Sequence, residues 1–289
     1  MRAKQPLPLQ HKRTWMLSIP LIVFTLVFVA LPLVYIAVLS FLRRDLLWGV
    51  TGEFTLDNYR KVFDPVYLNT FATSLELAFS TTLLTMAVGY PFGYFMGKLL
   101  PKRRKLVLLL VVVPFWTNAL VRIYGWMVLL RSNGVVNQLL LTVGVIDAPL
   151  KMLYTYGAVL IGMVYSLLPF MILPVYSSVE KMDWSLVEAA RDLGASRITA
   201  FLTVTLKLTL PGLLSGFVLV FVPSMGLFFI ADLLGGGKIM LVGNLIKNQL
   251  LQARDWPFGA ALSVGLMTLT LLIIAVYRKV TGSDLEGLV

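Results

Sequence analysis

The chain has 289 residues, of which 58% are hydrophobic and only 13% charged, about half the charged share of a soluble domain. It has no cysteine and a single histidine, His11, which excludes disulfides, thiolate metal sites and imidazole catalysis in the body of the chain. The formal charge of +11 raises nucleic acid as a partner, but its distribution along the chain decides otherwise.

A basic tail over residues 1–14 precedes six apolar runs, each long enough to cross a hydrocarbon core of about 30 Å as a helix. They lie near 15–40, 68–97, 106–130, 156–179, 208–231 and 257–277. This pattern predicts an all-α membrane protein: six transmembrane helices forming one domain over residues 15–279, then a short tail over 280–289. The first run is far longer than a signal-peptide core and no clear cleavage site follows it, so it reads as a retained helix. With the first tail inside, the inner segments carry nine more basic than acidic residues and the outer segments only two. That is the positive-inside pattern. It puts both termini in the cytoplasm and accounts for the charge without nucleic acid.

The outer loop from about 41 to 67 holds Asp57, Tyr59, Val62 and Phe63, spaced as a short amphipathic helix that ends at Asp64-Pro65. In the second span Gly89, Gly93 and Gly97 recur every four residues, a small-residue face for close helix packing. The turn Lys98-Leu-Leu-Pro-Lys-Arg-Arg-Lys105 is basic and reads as a topology signal that meets anionic lipid. Prolines 32, 91, 114, 169, 174, 211 and 223 fall within spans, and such breaks suit a moving or cavity-lining bundle. Gly235-Gly-Gly-Lys238 is no phosphate-binding loop, because the first glycine is missing and Ile239 follows the lysine. Any energy from ATP must therefore come from another polypeptide.

Between the fourth and fifth spans, within a loop of about 181–207, lies Glu188-Ala-Ala-Arg-Asp-Leu-Gly194. Ser185 and Glu188 have the spacing of a capping box, and Gly194 is placed to end the helix in the left-handed conformation. Ala189 and Ala190 leave a shallow surface on which another protein can pack.

These residues resemble the coupling loop of type I ABC importer permeases, with Lys207 where that family has a proline. Further stretches are similar to permeases of polyamine (spermidine/putrescine) importers: Val113 to Asn118, Arg122 to Gly125, Leu168 to Ser178, Met225 to Phe229, Asp232 to Gly236 and Arg254 to Gly259. The resemblance implies a non-catalytic subunit in a bacterial inner membrane. It binds no cofactor itself; ATP and Mg belong to partner ATPase subunits. It implies, as partners, a second homologous permease, two such ATPase subunits and a periplasmic polyamine-binding protein. Glu188, Ala189, Ala190, Asp192 and Gly194 would meet the ATPase.

A polyamine crossing lipid needs carboxylates, carbonyls and aromatic faces in place of its water. Glu76 lies inside the second span and is a candidate for the path, or else the partner of Arg122, the basic residue within a span. Asp232 is a candidate at the outer edge, with a solvated loop acid as the alternative. Trp116, Tyr124 and Tyr165 offer ring faces, and Asn118, with Thr117, offers oxygens. The alternatives are an importer permease for another small solute, an ion-coupled transporter, for which no internal repeat is visible, and a membrane anchor.

Overall fold

A computed structural model of the chain describes residues 19–45 and 49–281. The basic tail over 1–14 and the tail beyond residue 281 lie outside them.

Helix α1 runs over Ile19–Ser40, with a π-helical stretch at Leu26–Ala30. A two-stranded antiparallel ribbon follows, β1 at Leu42–Arg44 and β2 at Val50–Phe54, then α2 at Asp57–Val62. Next come α3 at Pro65–Gly97, α4 at Pro101–Trp116 and α5 at Ala119–Leu129, and α6 at Val135–Thr142. Then follow α7 at Tyr156–Glu180, α8 at Ser185–Asp192 and α9 at Arg197–Ser224. The last are α10 at Phe228–Gly235, α11 at Val242–Leu251 and α12 at Trp256–Thr281. Among the described residues α1, α3, α7, α9 and α12 are long and apolar enough to cross a bilayer, and the bent pair α4–α5 brings the count to six if the two helices form one span.

Two of the expected spans differ from what the sequence suggested. The third is not one rod over 106–130: α4 and α5 meet at 94°. Pro114 tightens the end of α4 into a 3-10 turn, and Thr117 is extended. Asn118 then starts a new helix by accepting a hydrogen bond from the Leu120 amide at 2.8 Å. The fifth, expected over 208–231, starts at Arg197 and stops at Ser224, so it contains the last part of the expected loop. Its first turns include a π-helical stretch at Phe201–Thr205.

Two compact units divide the chain, residues up to Asp64 with Ile246–Thr268, and Pro65–Leu245 with the end of α12. In the first, the ribbon and α2 hold each other. Asn58 donates to the carbonyls of Ser40 at 3.0 Å and Leu42 at 2.8 Å, and the Ser40 and Tyr59 hydroxyls share a bond of 2.7 Å. Arg44 donates to the Ala253 carbonyl at 2.9 Å and pairs with Asp255 at 3.7 Å. The ribbon has no counterpart in the sequence reading, which left the 41–67 loop with one helix.

In the second unit α3, α7 and α9 pack side by side. In lipid there is little hydrophobic drive between helices, so association depends on close contact through small residues. The Gly89, Gly93, Gly97 face supplies it within the chain. A Cβ on Gly89 would stand 2.7 Å from Met171 Cγ, one on Gly93 would stand 3.0 Å from the Ile172 carbonyl oxygen, and one on Gly97 would overlap Val179. From the other side Gly216 of α9 comes equally close to Met171, whose side chain is fully buried. A second cluster joins Leu77, Ile123, Val159, Met163, Ile230 and Leu234, which seats α5 and α10 against α7.

Gly93→Leu gains about 1 kcal/mol of helix propensity but overpacks a backbone contact at a cost of about 1–3 kcal/mol. The thermal unfolding midpoint of the detergent-solubilised protein should fall. A higher midpoint would contradict the close approach of α3 and α7.

Candidate functional site

The loop between α7 and α9 carries α8, and no residue of α8 is buried. Its start differs from the capping box expected at Ser185 and Glu188. Trp184 occupies the cap position without a side-chain cap bond, and Ser185 is already helical. The Asp183 carboxylate, one residue earlier, is the acceptor, taking the Ser185 amide at 3.0 Å. The Asp183 carboxyl is held below its usual range, first by the Ser185 hydroxyl and then by the Ser185 amide. Glu188 remains exposed in the first turn.

The end of α8 is as the glycine suggests. Gly194 has φ +91°, a left-handed conformation that glycine adopts without a Cβ penalty. Its amide donates to the Arg191 carbonyl at 2.9 Å, and the Ala195 amide reaches back to the Ala190 carbonyl at 3.0 Å. This pair of bonds is a Schellman stop. Ala189 and Asp192 are exposed and Ala190 is half-buried. Beside them Leu193 is 89% exposed and Ile198 72%, so the knob presents bare apolar groups around a helix that the chain itself does not cover.

The base of this loop is fixed by contacts the sequence reading did not foresee. Arg104, in the turn taken only as a basic topology signal, forms an ion pair of 2.6 Å with Glu180 at the end of α7. The same guanidinium donates to the carbonyls of Gly97 at 3.2 Å and Leu99 at 3.3 Å, so one charge closes the ends of α3 and α7 onto α4. The ammonium of Lys98 lies 4.2 Å from the Tyr94 ring centre and 4.8 Å from that of Trp184. Basic residues at helix ends beside aromatics in the next loop are the sequence signal for such contacts, though pairing them requires knowing which helix ends adjoin.

The membrane candidates do not form one cluster. Glu76 is eleven residues into α3, about 16 Å along the helix, and exposed, with no hydrogen bond or ion pair among the described residues. The Glu76–Arg122 ion pair is therefore absent. Arg122 instead stands 4.5 Å from the centre of the Phe115 ring and 5.8 Å from that of Tyr165. Its Nε and Nη1 are buried without an acceptor. The bend in α4–α5 falls between Phe115 and Arg122 and shortens the distance between them. Tyr165 also packs edge-on against Trp126 at 5.6 Å. Trp116 at the bend is 76% exposed and Tyr124 51%, while Asn118 is engaged as the cap of α5. Asp232 is not a loop acid: it lies on α10, half-buried, and accepts a hydrogen bond from Asn244. Asn244 in turn donates to the Phe228 carbonyl at 3.0 Å and accepts from the Leu241 amide at 3.1 Å.

Residues 89–280 match the family described as binding-protein-dependent transport system inner membrane component. The chain is 50% identical over 252 residues to the spermidine/putrescine transport system permease protein PotB of Escherichia coli (strain K12), covering 87% of this chain and 92% of that one. The protein of the same description from Haemophilus influenzae is 48% identical over 252 residues, covering 87% and 88%. A solved structure, a bacterial alginate ABC transporter in complex with an alginate pentasaccharide-bound periplasmic protein, has a chain that superposes with a TM-score of 0.72 at 19% identity, over 95% of this chain and 96% of that one. At that identity the likeness is one of fold.

Asp183→Ala should speed amide hydrogen exchange at residues 185–188, while α7 and α9 keep their protection. The carboxylate is the form the folded state favours, so the cap is complete at neutral pH. It is lost only as pH falls through the lowered value of Asp183, below the usual carboxylate range. Unchanged exchange in the variant would show that Asp183 does not hold the start of α8.

Proposed function

We propose that this chain, which belongs to the family of binding-protein-dependent transport system inner membrane components, is the permease subunit of an ATP-driven importer of polyamines, spermidine and putrescine. What carries the substrate is the 50% identity spread over 252 residues, a span that includes the aromatic and proline stretches of the membrane segments. The six crossings act as one permease domain with both termini in the cytoplasm, an orientation supported by the excess of basic residues on the inner segments.

Its partners in this reading are a second homologous permease, two ATPase subunits that hold ATP and Mg, and a periplasmic binding protein that delivers the polyamine. Helix α8 is the coupling helix. Glu188, Ala189, Ala190, Asp192 and Gly194 seat it in a groove of one ATPase subunit, and the exposed Leu193 and Ile198 are covered there. ATP closes the ATPase pair, the two coupling helices move with it, and the spans open outward to receive substrate; hydrolysis reverses the change.

Glu76 faces the path. Its exposure on a span supports this, because an ionised group deep in a membrane is costly unless it meets water, a counter-charge or substrate. Trp116 and Tyr124 add ring faces on the same route, as does the half-buried Tyr165. Asn118 and Asp232 serve it indirectly, one by holding the bend in α4–α5 and the other by fixing α10.

The test is uptake of labelled spermidine and putrescine into proteoliposomes containing the assembled complex, with ATP inside and binding protein outside. Uptake should need both ATP and the binding protein. Glu76→Gln should cut it about tenfold or more, the loss of one charge contact of about 1.4 kcal/mol or above, with the complex still assembled. Uptake driven by an ion gradient without ATP would contradict the importer. Unchanged uptake by the Glu76 variant would remove that residue from the path.

A further inference from the structure

We propose that Lys98, held between the rings of Tyr94 and Trp184, is a positioning residue that ties α8 to the membrane spans so that movement of α8 reaches them. The inference rests on the reading of α8 as the coupling helix. A helix that buries none of its own residues cannot pass on a push through its sides. It passes it through whatever grips its ends. At the start of α8 that grip is Trp184, whose carbonyl takes the Val187 amide at 3.0 Å and the Glu188 amide at 3.2 Å. Trp184 is thus continuous with the helix.

The Trp184 ring is set against Tyr94 of α3 at 6.2 Å, and the Lys98 ammonium lies against both rings, at 4.2 and 4.8 Å from their centres. Among the described residues no carboxylate pairs with Lys98. The negative faces of two aromatic rings therefore fix a cation just past the end of α3 onto the cap residue of α8. The other end of the loop is joined to the same place. Phe201, in the π-helical stretch of α9, meets Tyr94 edge-on at 5.6 Å and Tyr90 at 6.1 Å, and Tyr90 shares a hydrogen bond of 2.9 Å with Thr209 of α9. Displacement of α8 therefore loads α3 and α9 together, and these helices are locked to α7 through the glycine contacts.

The experiment uses the complete complex in proteoliposomes, comparing wild type with Lys98→Met and Lys98→Arg. Methionine keeps an apolar stem against the rings and removes the charge; arginine keeps a cation over them. The readouts are complex recovered per membrane, ATP hydrolysed, and polyamine taken up per ATP. The expected result is normal recovery for Lys98→Met, continued hydrolysis, and uptake per ATP reduced about tenfold, with Lys98→Arg restoring it to within about twofold. Unchanged uptake per ATP in Lys98→Met overturns the role of Lys98 while leaving the importer intact. A loss that follows reduced recovery, without rescue by arginine, overturns it as well, since the residue would then only support folding. Absence of ATP-dependent uptake in wild type overturns both this inference and the function on which it rests.

Discussion

In a bilayer an apolar side chain gains little by leaving lipid for protein, so a bundle of apolar helices is held by how closely its backbones approach. Everything else in this chain depends on that constraint being met along α3, α7 and α9. Gly89, Gly93 and Gly97 on one side, and Gly216 on the other, let α7 lie almost in backbone contact with its neighbours. Met171, with its unbranched and adaptable side chain, fills the space between them and is fully buried. The three helices are therefore packed as one group of neighbours. The loop that carries α8 joins two of the three.

Much of this was legible in the sequence, and for physical reasons. Long apolar runs fix how many times the chain can cross a membrane, glycine every fourth residue gives a face, and Gly194 ends α8 because its backbone turns left-handed there. Local chemistry that competes over one or two residues was harder to read. Ser185 and Glu188 satisfy the capping-box spacing, yet the helix starts one residue too early for it: Ser185 is already helical, its amide is taken by the Asp183 carboxylate, and the Glu188 amide goes to the Trp184 carbonyl. The break in α4–α5 illustrates the same limit. Pro114 and Asn118 mark it in the sequence, but the apolar stretches on either side add up to the length of one span and give no angle.

Contacts between distant segments were the least legible. Glu76 and Arg122 looked like a pair because they are the charged residues within spans. The bend in α4–α5 instead turns Phe115 over Arg122, where an aromatic face replaces the carboxylate. Asp232 looked like an acid at the outer edge, open to substrate or to solvent, because the fifth span seemed to end beside it; with that span ending at Ser224, it falls on a separate helix and joins Asn244. Arg104 and Lys98 looked like members of one solvated basic turn. Each has a specific partner, Glu180 for one and the Tyr94 and Trp184 rings for the other; Tyr94 lies one helical turn from Lys98, but Glu180 and Trp184 are far away in sequence.

The central claim is that α8 is gripped by an ATPase subunit, and the absence of cysteine from the chain makes it directly measurable. A single cysteine placed at Ala189 should form a disulfide or short cross-link with a cysteine in the groove of the assembled ATPase subunit, with a yield that changes when ATP is added. A cysteine at Thr142, at the end of α6, should form none. Equal cross-linking at both positions, or none at Ala189 in a complex that hydrolyses ATP, would contradict the account.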